Sequence, residues 1–141
     1  MKKTMKGLLR LLLEILCSTA LVILIELFWH GMPLLGIPQA EEIMQVEISH
    51  AALQETLIFT DEENIRLARS CIGCLKYQPW SAGEGEAQIS IRYMDKSGRI
   101  YEAAAGPDTV FYNGKAHLLR EKDIFINIAE GLFFLDLIAA R

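Results

Sequence analysis

The chain has 141 residues, a net charge of −4 and a hydrophobic content of 52%. This length allows one modest domain beside an apolar segment, and most of the excess of apolar residues lies before Pro38. We expect no nucleic-acid binding, because such binding needs a clustered cationic surface. Basic residues are clustered only ahead of the apolar segment.

The most marked feature is an apolar segment from Leu8 to about Leu35, which is rich in Leu, Ile and Val. About 20 apolar residues in a helix cross a bilayer, and we therefore place a transmembrane helix at residues 11–35. Residues 1–10 form a basic tail, which the positive-inside rule places in the cytoplasm with the remaining chain outside. Four ionisable side chains lie towards the ends of the segment: Arg10, Glu14, Glu26 and His30.

Other interpretations of this segment remain open. A cleavable signal peptide also begins with basic residues, but its apolar region is shorter, and the nearest cleavage-like sequence, 38–40, begins with a proline. A buried helix of a soluble protein is the third interpretation. Glu14, Glu26 and His30 either contact a partner within the membrane or extend to the membrane surface.

We expect a linker at residues 36–43, followed by a small extracytoplasmic α+β domain at residues 44–141. Alternating apolar and polar residues, Gly-containing turns and an Asn-Gly sequence predict strands joined in hairpins. The predicted strands are Met44–Ser49, Glu55–Thr60, Gln88–Met94, Arg99–Ala104, Thr109–Tyr112 and Lys115–Leu119. Because no βαβ crossover is evident, we expect an antiparallel sheet with one or two helices packed on it.

Two helices are expected within this domain. Thr60 and Glu63 form a capping box that predicts a helix start at Thr60, and that helix ends before Pro79. The apolar stretch Glu121–Ala140 predicts a C-terminal helix that packs in the core, the alternative being a surface for a partner or a membrane. The segment Gln78–Glu86 is rich in Pro, Gly and Ser and predicts a loop.

The segment from about Leu57 to Phe134 carries three short motifs. A strand runs into Thr60-Asp61 before a helix, a strand pair turns at Gly98, and a last hairpin turns at residues 113–115. In this layout the segment resembles small extracytoplasmic domains of unknown function from Gram-positive bacteria. These domains are carried on single-pass anchors or on lipid-modified cysteines. The resemblance implies membrane anchoring and provides no catalytic residues.

Cys71 and Cys74 form a C-x-x-C sequence, which is typical of a structural pair, a dithiol redox pair or half of a zinc site. Zinc needs four ligands, and only Cys17, His50 and His117 remain, of which we expect the two histidines at the surface. A redox thiolate is stabilised at a helix N-terminus, whereas this pair lies at the end of a predicted helix. We therefore expect structural thiols or a disulfide, with no metal and no cofactor.

Trp80 lies in the predicted Gly-rich loop, where it is either a recognition residue or folds back on the sheet. No fingerprint of a hydrolase, metalloprotease or nucleotide-binding enzyme occurs in the sequence. The sequence thus predicts a non-enzymatic, single-pass membrane protein that binds another membrane or envelope protein as an accessory or sensor module. The alternative is a thiol-active envelope protein that uses Cys71 and Cys74.

Overall fold

The computed structural model describes residues 2–139, apart from the side chains of residues 2–3, 122–123 and 136–139. It confirms the predicted α+β class: a long helix α1 (Lys2–His30) precedes an eight-stranded sheet and two further helices, α2 (Glu62–Gly73) and α3 (Lys122–Ala139). The strands are β1 (Met32–Pro33), β2 (Ile43–His50), β3 (Glu55–Phe59), β4 (Lys76–Ala82), β5 (Ile89–Asp95), β6 (Ile100–Ala105), β7 (Thr109–Tyr112) and β8 (Lys115–Arg120). The predicted helical residue Ala140 lies outside the described residues.

Helix α1 ends at His30, before the predicted limit at residue 35. Gly31 has a φ of +79°, and its N–H donates to the carbonyl of Leu27 at 3.0 Å, which closes the last turn of the helix. The most apolar part of the span Thr4–His30 has no residue buried inside the protein. The interpretation of this segment as a buried core helix is therefore wrong.

The segment that follows α1 is packed against the domain, in contrast to the predicted linker at residues 36–43. Met32 pairs with Tyr77 of β4, and the side chains of Leu34 and Ile37 are buried in the core. The Nε of Arg69 donates to the carbonyl of Pro38 at 2.8 Å. The chain therefore passes from α1 into the sheet without a free spacer.

All neighbouring strands are antiparallel, in the order β1-β4-β8-β7-β6-β5-β2-β3. Four hairpins supply most of this order. Asn113 and Gly114 have φ angles of +50° and +72°, as the predicted type I′ turn between β7 and β8 requires.

One face of the sheet carries the core. Tyr93 of β5 donates its hydroxyl to the carbonyl of Ala68 in α2 at 3.2 Å, and His50 of β2 contacts Phe133 of α3. Because His50 and Tyr93 point to the same face, both helices cover that face. The core between this face and the two helices includes the fully buried side chains of Val46, Ile48, Ile89, Ile91, Ile72 and Phe125.

The N-cap of α2 is Asp61, and the predicted start at Thr60 is therefore wrong by one residue. The carboxylate of Asp61 accepts the backbone N–H of Asn64 at 2.9 Å. This hydrogen bond lowers the pKa of the Asp61 carboxyl. Asp and Thr are both good N-caps, so residue type alone does not choose between neighbours.

Strand β4 occupies part of the predicted loop Gln78–Glu86, and that prediction is wrong for its first half. The pairing of β4 with β8 is interrupted between Gln78 and Ala82. Pro79 lies within this interruption, where no N–H is needed for the ladder. The irregular stretch carries Trp80.

Because Ile48 is fully buried and Ile58 is 60% exposed, the two isoleucines test the assignment of the sheet faces. We expect Ile48→Ala to lower the free energy of unfolding by about 2–5 kcal/mol, and Ile58→Ala to change it by less than about 0.5 kcal/mol. Urea unfolding of the full chain in mild detergent, followed by near-UV circular dichroism, measures both. Equal losses in the two variants would contradict the described burial.

Candidate functional site

The end of α1, strand β4 and the end of β8 meet at a junction between the N-terminal helix and the domain. The Nε of Arg120 in β8 donates to the carbonyl of Trp29 at 2.9 Å. This bond satisfies one of the carbonyls that a helix C-terminus leaves without an internal partner. The junction brings together three of the residues that the sequence singled out: Glu26, His30 and Trp80.

His30 lies between two carboxylates at this junction. Its Nε2 is 3.8 Å from Glu26 one turn earlier in α1, and its Nδ1 is 3.9 Å from Glu121, which follows β8. Glu26 and His30 thus have neighbours within the chain itself. The prediction that they contact a partner inside the membrane stays a prediction.

Trp80 packs on α1, whereas the sequence left open recognition or folding back on the sheet. Its ring stacks on Phe28 with centroids 5.9 Å apart and planes inclined by 15°. Trp80 remains 53% exposed. Together with Leu24, Ile25 and Trp29, this pair lines an open apolar cleft of about 480 Å³, which we term the α1–Trp80 cleft.

Glu14 lies in the first half of α1 and forms an ion pair with Arg10 at 3.0 Å. The polar side chains that follow also bond within the helix. Ser18 donates to the carbonyl of Glu14 at 2.8 Å, and Thr19 donates to that of Ile15 at 2.9 Å. Polar groups in this part of α1 are therefore satisfied without an external partner.

Cys71 and Cys74 lie at the C-terminal end of α2, as predicted. Cys71 is 1% exposed and belongs to the core, whereas Cys74 is the partly exposed C-cap residue. The two thiols are not joined by a disulfide. Burial is the main cause that raises the pKa of the Cys71 thiol to about 12, and the adjacent Cys74 contributes.

A raised thiol pKa is the opposite of what a nucleophilic or redox-active cysteine needs. Burial also raises the pKa of the neighbouring Tyr93 hydroxyl, so this part of the core disfavours charged forms. The geometry thus supports a structural role for Cys71. It offers no support for the thiol-active alternative.

His50 is buried, and the expectation that it lies at the surface is wrong. It is 7% exposed, and its Nδ1 accepts the backbone N–H of Leu53 at 3.3 Å. This leaves Nε2 to donate to Glu130 of α3, 3.4 Å away. His50 thus joins the end of β2 to α3. The ring of His117 lies against that of Tyr77, with centroids 4.7 Å apart and planes inclined by 38°.

A concavity lies on the other face of the sheet, which we term the open face because neither α2 nor α3 covers it. This open-face groove has a volume of about 630 Å³. Its floor is a cross-strand row of mostly small side chains: Ser49, Ser90, Ala104, Phe111 and Ala116.

A charged row borders this floor on one side. Arg92 lies opposite Glu47 of β2 and Glu102 of β6, and its Nε donates to Glu102 at 2.7 Å. Asn113 and Lys115 line the groove at the β7–β8 turn. The groove therefore presents both signs of charge beside a small-residue floor.

Sequence reasoning did not find the open-face groove. In the sequence, the residues on the open face of each strand appear only as the polar members of an alternating pattern. Their assembly into one row depends on the register between five strands, which no local motif encodes. Among the side chains that the structure describes, at residues 4–121 and 124–135, no three His, Cys, Asp or Glu are grouped so that they could hold a metal ion.

Comparisons of the chain with protein families, with characterised proteins and with solved structures found no match. The resemblance to anchored extracytoplasmic domains of Gram-positive bacteria therefore stays a prediction.

The cysteines give a direct test of the described packing. At pH 8 we expect a maleimide to label Cys74 in the native full chain and to leave Cys71 unmodified, because burial protects the Cys71 thiol and raises its pKa. Single variants Cys71→Ala and Cys74→Ala, each combined with Cys17→Ala, identify the labelled site by mass spectrometry. Labelling of Cys71 at the rate of a free thiol would contradict the assignment.

Proposed function

We propose that the protein is a single-pass membrane protein with its basic tail in the cytoplasm and its α+β domain outside. The domain is a non-enzymatic binding module, which acts as an accessory or sensor subunit for another membrane or envelope protein. It recognises that partner through the open-face groove. The proposal has three parts, namely the anchor, its orientation and the binding face.

The geometry of α1 supports the anchor. The candidate span Thr4–His30 has 27 residues, which at 1.5 Å per residue is about 40 Å and matches a bilayer with its headgroup regions. Its large apolar side chains are exposed, for example Leu16 at 66% and Leu24 at 61%. The hydroxyls of Ser18 and Thr19 bond to carbonyls of their own helix, as polar groups in lipid require.

The distribution of charge supports the orientation. Lys2, Lys3, Lys6 and Arg10 are all at the N-terminal end of α1, and the positive-inside rule keeps such an end in the cytoplasm. Trp29 and Trp80 lie at the other end, where aromatic residues mark the membrane–water interface. The domain then lies outside.

The observation that carries the binding role is the open-face groove. Two helices cover one face of the sheet, and the other face keeps a concavity within the usual size range of binding sites. Its polar rim and its aromatic Phe111 are features of protein-recognition surfaces. A partner segment with charged side chains would find Arg92, Glu47 and Glu102 in one row.

The thiol-active alternative is not favoured, because Cys71 is buried and its pKa is raised to about 12. Cys74 alone cannot provide the dithiol that a C-x-x-C redox reaction uses. We therefore assign no catalytic residue and no cofactor to this chain.

Site-specific photocrosslinking from the full chain in its native membrane tests the binding face. A photoreactive amino acid at Ser90, on the groove floor, is compared with the same amino acid at Ser70, an exposed serine on α2. We expect a discrete crosslinked protein from position 90 and none from position 70. Arg92→Ala should reduce the yield at position 90, because it removes the charged border of the groove.

Crosslinks of equal yield from both positions, or no crosslink from position 90, would show that the groove is not the binding face. A crosslink from position 70 alone would move the binding face to the helix-covered side of the sheet. The extent of photolysis at each position, measured by mass spectrometry, ensures that a negative result is informative.

A further inference from the structure

We infer that the α1–Trp80 cleft holds an acyl chain of a membrane lipid, with Trp80 as the domain's own contact with the bilayer. The inference rests on the proposed insertion of α1 in a membrane and goes beyond the proposed binding of a protein partner. Four of the five residues that line the cleft belong to α1 itself: Leu24, Ile25, Phe28 and Trp29. Only Trp80 comes from the domain.

The position of the lining residues along α1 determines how deep the cleft lies in the bilayer. A span of about 40 Å leaves about 5 Å at each end for the headgroup region outside a ~30 Å hydrocarbon core. Leu24 lies about 9 Å along the helix axis from His30, at 1.5 Å per residue. Leu24 and Ile25 therefore lie within the hydrocarbon region, and Phe28 lies at its boundary.

The stacking of Trp80 on Phe28 brings the domain to this same depth. With ring centroids 5.9 Å apart, Trp80 cannot lie far above the level of Phe28. A tryptophan at this level has an apolar ring for the lipid tails and an N–H for the headgroup region. Its 53% exposure is then exposure to lipid.

The depth of the cleft in the bilayer and its apolar walls indicate which molecule occupies it. The walls of the cleft present almost exclusively apolar surface, and nothing in them would bind a charged or polar ligand. Four of the five lining residues belong to α1, so the bilayer around α1 supplies acyl chains to the cleft. An acyl chain bound there would bury the exposed faces of Leu24, Ile25 and Trp80 together.

Helix α1 contains a matched internal control. Ile23 and Ile25 are both 53% exposed and differ in depth by about 3 Å, yet only Ile25 lines the cleft. Ile23 lies on a different face of the helix. Any lipid that merely surrounds α1 contacts both residues, whereas a chain held in the cleft contacts Ile25 preferentially.

The test uses the full chain in phosphatidylcholine vesicles that contain a lipid with a photoactivatable diazirine on its acyl chain. We expect several-fold more label on Ile25 than on Ile23, mapped by mass spectrometry, and loss of this preference in Trp80→Ala. Equal labelling of the two isoleucines, or a preference that Trp80→Ala does not change, would overturn the inference. Chain-to-chain crosslinks at Ile25 would assign the cleft to a second copy instead.

A second measurement does not depend on the stability of Trp80→Ala. The chain has two tryptophans, so Trp29→Phe leaves Trp80 as the only one. We expect its fluorescence to be quenched by lipids brominated near the glycerol end of the acyl chain and to be protected from aqueous iodide. Strong iodide quenching without bromolipid quenching would place Trp80 in water and overturn the inference.

Failure of the inference and failure of the anchor give different results. If α1 is not inserted, neither isoleucine is labelled, and Leu12 and Leu13 in the first half of the helix also remain unlabelled. If α1 is inserted and the cleft holds no lipid, all four residues are labelled and Ile25 shows no preference.

Discussion

The apolar surface of α1 is the constraint on which the rest of the structure depends. Burial of apolar surface contributes roughly 25 cal/mol per Å², and the domain buries none of the most apolar window of this helix. Leu16, Leu24 and other large side chains of α1 are more than half exposed. A hydrocarbon phase around this helix would cover the apolar surface that the domain leaves exposed.

The junction determines how α1 and the domain are arranged relative to each other. Gly31 turns the chain with a φ of +79° while its Cα approaches β4 and Arg120 closely, since a Cβ there would lie 3.1 Å from the carbonyl oxygen of Tyr77. Met32 then enters the sheet directly, and Arg120 binds the helix end. Because no free spacer separates helix from sheet, the position of α1 determines the position of the domain and of its open-face groove.

Local patterns in the sequence predicted most of the fold. Alternation in β2, β5 and β6 follows the burial of one sheet face, and the Asn113-Gly114 turn follows from the φ angles it requires. Thr60 and Asp61 can both cap a helix, and the spacing of Thr60 from Glu63 favoured Thr60, which explains the one-residue error at α2. Strand β4 was missed because Pro79 and its neighbours favour a loop, and only pairing with β8 overrides that preference.

The functional surfaces were harder to predict than the elements. The structural role expected for Cys71 agrees with its burial, which it shares with Ala68, three residues earlier in α2. His50 contacts Glu130 and Phe133 of α3, about eighty residues later in the chain. The contact of Trp80 with Phe28 joins a strand to the N-terminal helix. Neither contact leaves a local pattern in the sequence.

Retention of α1 as a membrane anchor is the central claim, and extraction of native membranes with alkaline carbonate tests it most directly. We predict that the chain stays in the membrane pellet and that its mass includes the residues of α1. A shorter chain in the soluble fraction, with its N-terminus near Ala40, would show that the segment is a cleaved signal peptide and would contradict the account.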